Sequence, residues 1–231
     1  MRKRRLRNAP VIVVAIALLG TFGYFVGWSK ALEIRTIEIS AAGNEALVSP
    51  LLIPKDLHIG LPMARLSSQR INHDLAQFTW IRSVSIKRRW LAHDIRINIL
   101  ARQAVAQYVD TDGALRYFDV SGYSFTIPNP PKGIPTIDFG SDSTESRSAV
   151  ATLLKETPRD ITTHLLSLAV DSHNQISLTT TLPGFRNLTI LWGAASELAL
   201  KNQVLRQLLA LPENKKITNV DLSAPMTPVV R

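Results

Sequence analysis

The sequence predicts an α+β protein that begins with a single transmembrane helix, and two observations lead to this prediction. An uncharged apolar run follows a basic tail at the amino terminus. Beyond it, strand-like runs and helix-like periods are separated by Pro and Gly, a pattern typical of a sheet backed by helices. The roughly 200 residues after the apolar run are enough for one large domain or two small ones.

Residues 9–29 are predicted to form the transmembrane helix, because the 20 residues from Ala9 to Trp28 carry no charge. At about 1.5 Å per residue they would span roughly 30 Å of hydrocarbon. Residues 1–8 are basic, so the positive-inside rule places this tail in the cytoplasm, next to anionic lipid, and the later residues outside it. The alternative is a cleavable signal peptide, whose apolar region would be shorter, about 7–15 residues.

The amino-acid composition narrows the classes of function that the sequence allows. The chain has no cysteine, which excludes a disulfide framework and a thiolate metal site. The net charge of +9 is regional, because residues 103–231 carry 11 basic and 12 acidic side chains. The basicity therefore does not predict nucleic-acid binding. Beyond the tail, Lys87, Arg88 and Arg89 form a dense basic patch with Arg82, Arg96 and Arg102. They are candidate contacts for anionic lipid or wall polymer, with an ordinary solvated strand face as the alternative.

Residues 32–102 are predicted to form a small domain in the order β-α-α-β-β. A β-branched run ends at the turn Gly43-Asn44. Prolines leave room for one short helix before Leu61, and Ser67 or Ser68 caps the next helix. The strands that follow are indicated by period-two apolar positions. These positions are Val84 and Ile86 in one strand and Ile95, Ile97 and Ile99 in the other.

Residues 103–231 are predicted to form an antiparallel sheet with two helices. The sequence Asp110-Thr111-Asp112-Gly113 between two short apolar runs indicates a hairpin. The box Asp142-x-x-Glu145 predicts the start of the first helix, and Thr157-Pro158 its end. The second helix is predicted from Ser196 to Leu209. The remaining strands are predicted at Leu165–Val170, Ile176–Leu182, Leu188–Trp192 and Ile217–Leu222.

The sequence predicts no catalytic residue, no cofactor and no metal site. Its five histidines lack the helical i, i+4 spacing of a zinc site. Asp110, Asp112 and Asp119 are the candidates for an acid/base pair in sugar hydrolysis. Aspartates around a hairpin are more often turn formers, and this interpretation is favoured.

The order of motifs resembles the FtsQ/DivIB family of bacterial cell-division proteins, which have a basic tail, one membrane anchor, a POTRA domain and a β domain. The motifs are Ile37-x-Ile39 with Gly43-Asn44, Phe78-x-Trp80-Ile81-x-Ser83-Val84, Arg88-Arg89-Trp90, Ile97-x-Ile99, Asp110-x-Asp112-Gly113, Ile190-x-Trp192-Gly193, Lys201, and Val220-Asp221-Leu222-Ser223-Ala224-Pro225. They extend over nearly the full chain.

The resemblance implies a non-enzymatic, single-pass scaffold in the bacterial inner membrane at the division septum. Its partners would be FtsB- and FtsL-like proteins and, through them, the septal peptidoglycan synthase. The rival hypothesis from another class is a membrane-anchored cell-wall hydrolase that uses the hairpin aspartates. A POTRA chaperone for outer-membrane insertion is a lesser rival, which would predict repeated POTRA units.

The predicted partner site is the edge of the last strand, since an unpaired strand is a template for strand addition. Alternation would turn Val220 and Leu222 to the core and Asn219 and Asp221 outward. The family resemblance points to the same segment, with Lys201 on the last helix as a further contact. The full set is Ile217, Thr218, Asn219, Val220, Asp221, Leu222, Ser223 and Lys201.

Overall fold

A computed structural model of the chain describes residues 9–28, 32–42 and 57–231. It divides into two compact units, a first unit of Met1–Ala101 and a second unit of Arg102–Arg231. The predicted basic tail and the predicted turn at Gly43-Asn44 lie outside the described residues, as does most of the segment in which a short helix is predicted before Leu61.

Helix α1 covers Ala9–Trp28. Among the described residues, no helix combines the length and the apolar character needed to cross a membrane. This finding contradicts the predicted transmembrane helix at residues 9–29 and the predicted single-pass location in the cell membrane.

The rest of the first unit is a three-stranded sheet with one α-helix. Its elements are β1 (Thr36–Ala42), a 3₁₀ turn (Met63–Arg65), α2 (Ser68–Leu75), β2 (Ile81–Arg89), a second 3₁₀ turn (Trp90–Ala92) and β3 (Asp94–Ala101). The strand order is β1-β3-β2, with β1 parallel and β2 antiparallel to β3. The described strands and α2 follow the predicted order, and the first predicted helix falls mostly on residues outside the described part.

Every second side chain of β3 from Ile95 to Ile99 is buried in the core of the first unit. Ile95, Ile97 and Ile99 are at most 1% exposed, because every second residue of a strand faces the same side. Helix α2 is capped by Ser67, whose side chain accepts from the Arg70 N–H. Trp80, the residue before β2, is 3% exposed and so belongs to the buried side chains of this unit.

The second unit has two sheets. Its strands are β4 (Ala106–Val109), β5 (Leu115–Phe118), β6 (Ser124–Phe125), β7 (Ile137–Phe139), β8 (Leu165–Val170), β9 (Ile176–Leu182), β10 (Phe185–Gly193), β11 (Asn219–Asp221) and β12 (Val229–Val230). Its helices are α3 (Thr144–Glu156), α4 (Arg159–Thr163) and α5 (Leu198–Ala210), with a 3₁₀ turn at Pro212–Lys216.

The larger sheet has the order β12-β11-β10-β9-β8-β7, and β4, β5 and β6 form the smaller one. The β7–β8 and β10–β11 pairs are parallel, so the prediction of an antiparallel sheet is wrong for these two pairs. Both are connected through helices, and such a connection returns the chain in the same direction. The core beneath the sheet includes Trp192, which is fully buried.

Helix α3 begins one residue later than its predicted capping box. Ser143 is the N-cap, and its side chain accepts from the Ser146 N–H. Asp142 instead pairs with Arg147. Because the carboxylate of Asp142 is paired with Arg147, the neighbouring residue Ser143 caps the helix instead.

Candidate partner-binding site at the edge of the six-stranded sheet

The predicted partner segment is a short strand with two different faces. Only Asn219–Asp221 of residues 217–223 is strand β11. Val220 and Leu222 are at most 1% exposed. Asn219 is exposed and Asp221 half-buried. The outward side chains of β11 are therefore the ones available to a partner.

The edge of β11 is occupied by the chain's own carboxyl end, which corrects the prediction of an unpaired last strand. Strand β12 pairs antiparallel with β11, with Val220 opposite Val230. The N–H groups of Thr218 and Asn219 donate to the Arg231 carbonyl, at 2.7 and 3.0 Å. A strand added to this side of the sheet must therefore extend β12 or replace it.

A groove of about 350 Å³ lies on the outer face of the last three strands of the sheet. It is lined by Thr189, Leu191, Asn219, Val220, Asp221, Val229 and Arg231. Leu191 is 36% and Val229 48% exposed. The groove therefore combines two exposed aliphatic side chains with a carboxylate, an amide and a guanidinium, a mixture that suits a protein segment.

Sequence reasoning missed part of this groove. Thr189 and Leu191 alternate with buried Ile190 and Trp192 in the predicted strand Leu188–Trp192. Because every second residue of a strand faces the same side, this pattern indicates that Thr189 and Leu191 point outward. Strand β12 has a weak signal, because only two β-branched residues follow Pro228. Its pairing depends on contacts made far along the chain.

Lys201, which is predicted as a partner contact, does not line this groove. Its side chain is 1% exposed. The ammonium donates to the carbonyls of Trp192 and Ala194, both at 2.8 Å. Burial lowers the pKa of Lys201, an effect that Glu197 partly offsets. Lys201 thus stabilises the connection from β10 to α5.

The basic patch is divided between the two faces of β2. Lys87 and Arg89 are exposed on one face, and Arg89 pairs with Asp94 at 3.0 Å. Arg88 lies on the other face and donates to the Leu66 carbonyl and the Ser68 hydroxyl. The structure therefore leaves Lys87 as the exposed cation of the three that has no ion pair among the described residues.

Asp110 is committed to the predicted hairpin turn. One carboxylate oxygen accepts from the N–H groups of Asp112 and Ala114, and the other accepts from Arg116. The hydrogen bond from Arg116 is the largest cause that lowers the pKa of Asp110. Gly113, with φ of 78°, supplies the left-handed backbone of this turn.

Asp119 is also held as a carboxylate. Burial raises its pKa, but hydrogen bonds from Ser121, Arg102 and Tyr123 outweigh it, and the pKa is lowered. Arg102 lies 2.6 Å from one oxygen and stacks 3.8 Å above the Tyr123 ring. Asp110 lies opposite Ala114 across the hairpin, and β5 separates Ala114 from Asp119. At 3.3 Å per residue, the backbones of Asp110 and Asp119 are therefore about 16 Å apart.

The residues described at 9–28, 32–42 and 57–231 contain no group of three or more His, Asp or Glu side chains placed to hold a metal ion. Comparison of the sequence with models of known protein families found no match, and comparison with curated proteins found none either.

Proposed function

We propose that this protein is a non-enzymatic scaffold of bacterial cell division that acts as the FtsQ/DivIB proteins do. Its partners would be small coiled-coil proteins of the FtsB and FtsL kind and, through them, the septal peptidoglycan synthase. The observation that carries the proposal is the groove of about 350 Å³ on the outer face of β10, β11 and β12. Its lining includes Val220 and Asp221, the first two residues of the family-like motif from Val220 to Pro225.

The geometry of β12 supports strand addition at this groove. Strand β12 has two residues, and among the described residues its outer side faces no other strand of the sheet. Backbone groups on such an edge are free to pair with an extended segment. Val229 lies on β12 itself and would contact the added segment directly. Leu191 lies two strands further in, on β10, so it would contact a side chain of the partner that lies across the groove on the face of the sheet.

The pair Asp110 and Asp119 gives no support to the rival hydrolase hypothesis. A glycosidase needs one carboxylic acid with a raised pKa, about 5–9.5 Å from a second carboxylate. The pKa values of Asp110 and Asp119 are both lowered, and their backbones lie about 16 Å apart along β5. Neither residue therefore has the properties of a general acid.

The test measures binding of a purified FtsB/FtsL pair to the full chain and to two matched variants. Leu191 lies in the groove, whereas Leu166 is an equally apolar and more exposed residue of β8 in the same sheet. Leu191→Ser should weaken binding about tenfold or more, since burying a leucine side chain contributes about 1.5–3 kcal/mol. Leu166→Ser should bind as the unchanged chain does.

Equal affinity of all three proteins would contradict the groove as the binding site. Failure of the unchanged chain to bind would contradict the scaffold itself. The hydrolase is tested with the same protein by release of glycan fragments from peptidoglycan. Release that is lost when Asp110→Asn and Asp112→Asn are combined, in a protein with an unchanged melting temperature, would establish the rival.

A further inference from the structure

The turn between β2 and β3 presents an apolar tip. Trp90, Leu91 and Ala92 form a single 3₁₀ turn that connects the two strands. Leu91 is 96% exposed and Trp90 is 37% exposed. An aliphatic side chain with almost no protein contact stands here directly beside an indole, a ring that favours the interface between lipid and water.

The tip is held in place by several polar contacts at its base. Arg89 and Asp94, the last residue of β2 and the first of β3, form an ion pair at 3.0 Å. The His93 carbonyl accepts from the Arg35 N–H at 2.7 Å, and the His93 ring lies 3.1 Å from the Glu33 carbonyl. These contacts join the turn to residues 33–35, just before β1, so Leu91 is presented on a fixed base and loses little order on contact with another surface.

The described part of the first unit, to which the tip belongs, is basic. Residues 32–42 and 57–101 contain eight Arg and Lys side chains but only four Asp and Glu side chains. Lys87 is exposed on β2, and at 3.3 Å per residue its backbone lies about 10 Å from Trp90. This distance is about one Debye length at physiological salt, so an anionic surface touched by the tip would also attract Lys87.

We infer that the tip of the β2–β3 hairpin inserts Leu91 and Trp90 into the surface of an anionic lipid bilayer, with Lys87 beside the headgroups. The contact is peripheral, does not require a membrane-spanning helix and is independent of the partner groove. An anionic wall polymer would satisfy the cations but would leave Leu91 in water. A lipid surface takes up both the charge and the exposed apolar side chains.

The test uses the absence of cysteine from the chain. Leu91→Cys in the full chain is labelled with an environment-sensitive fluorophore, and the matched control is Leu115→Cys, an exposed leucine of the second unit. A local probe is needed because the described apolar side chains of α1, such as Val11 and Leu19, are also exposed, so vesicle binding of the chain does not locate the contact.

Vesicles of phosphatidylcholine with phosphatidylglycerol should shift the Leu91→Cys emission to the blue and allow quenching by lipids that carry the quencher in their acyl chains. The control should show neither effect. Lys87→Gln in the labelled chain should weaken the partition about fivefold, the contribution of one cation near an anionic surface. Pure phosphatidylcholine vesicles should give little shift.

Three results would overturn the inference. The first is no blue shift beyond that of the control. The second is an equal shift on neutral and anionic vesicles, which would mean apolar adsorption alone. The third is that soluble anionic polymer competes fully while the label shows no acyl-chain quenching, which would assign the patch to wall polymer.

Discussion

Buried charged groups of the second unit have structural roles. Arg147 is 8% exposed, donates to the Gly122 carbonyl and pairs with Asp142. Lys201, on α5, donates hydrogen bonds to two carbonyls near the end of β10. Asp119 joins Arg102 to the turn at Ser121 and Tyr123. A buried charge costs free energy unless it is paired, so each of these side chains holds backbone or side-chain groups in a defined place.

At the residue scale, Asp119→Asn should lower the free energy of unfolding by about 2 kcal/mol at pH 7, because charged hydrogen bonds are lost. The pKa of Asp119 is lowered from 3.8 in the folded chain. Its stabilisation is therefore present above the unfolded pKa and is lost as pH falls through the folded pKa. The difference between the two proteins should shrink between pH 7 and pH 3 in denaturant titrations.

The matched control for this measurement is Asp112→Asn, because Asp112 is an exposed carboxylate of the neighbouring turn. It should leave the free energy of unfolding nearly unchanged at both pH values. A difference between Asp119→Asn and the unchanged chain that stays constant on acidification would mean that lost packing, and not the carboxylate charge, causes the effect.

At the scale of the element, β11 offers alternate N–H groups to its two neighbours. The Asn219 N–H donates to Arg231 in the chain's carboxyl end, at 3.0 Å. The Leu222 N–H donates to Leu191 of β10, at 2.8 Å. Alternation places the Val220 N–H on the β10 side as well. The two sides of this strand therefore have different importance for the fold.

Proline substitution should separate the two sides of β11, since proline cannot donate to a ladder. Val220→Pro should lower the free energy of unfolding by about 3 kcal/mol or more, because it removes a buried side chain and an internal ladder bond. Asn219→Pro should cost about 1 kcal/mol and release β12. Thermal melts measure the first effect, and faster hydrogen exchange of the Arg231 N–H, which donates to the Asn219 carbonyl, measures the second.

The same pair of variants tests the role of β12 in partner binding. Under the proposed function, Asn219→Pro should change the affinity for the FtsB/FtsL pair while the fold is retained, because β12 forms one side of the groove. An unchanged affinity in a protein whose β12 is released would place the partner elsewhere on the second unit. Equal destabilisation by both prolines would show that β12 is as important to the sheet as β10.

At the scale of the molecule, the two compact units should unfold as separate transitions, because each has its own buried core. Trp80→Ala removes a side chain that is 3% exposed in the first unit. It should lower that unit's stability by about 3–5 kcal/mol. Leu168→Ala, which removes a core side chain that is 1% exposed in the second unit, should cost about 2–5 kcal/mol there.

Differential scanning calorimetry of the full chain measures this prediction. Each variant should shift one transition and leave the other in place. A single transition that moves with either substitution would mean that the two units unfold cooperatively as one body.

The sequence by itself predicts the α+β class and most of the strands. Alternation at Ile95, Ile97 and Ile99 predicts β3, because a half-buried strand needs a period of two. The hairpin around Asp110 and Gly113 is predicted by its turn chemistry, since few residues accept the required backbone. The outward direction of Asn219 and Asp221 follows from the same alternation. All these features depend on neighbours within a few residues.

Tertiary structure alone decides the features that depend on distant partners. Local pattern does not show that Val229 and Val230 cover the edge of β11, nor that β10 and β11 are parallel. Lys201 has the sequence context of an exposed helical residue, but the position of α5 buries it against the end of β10. The uncharged run of α1 suggests a membrane span, a prediction that the structure contradicts. Local periodicity specifies which residues share a face, whereas pairing and burial depend on chain segments brought together from far apart in the sequence.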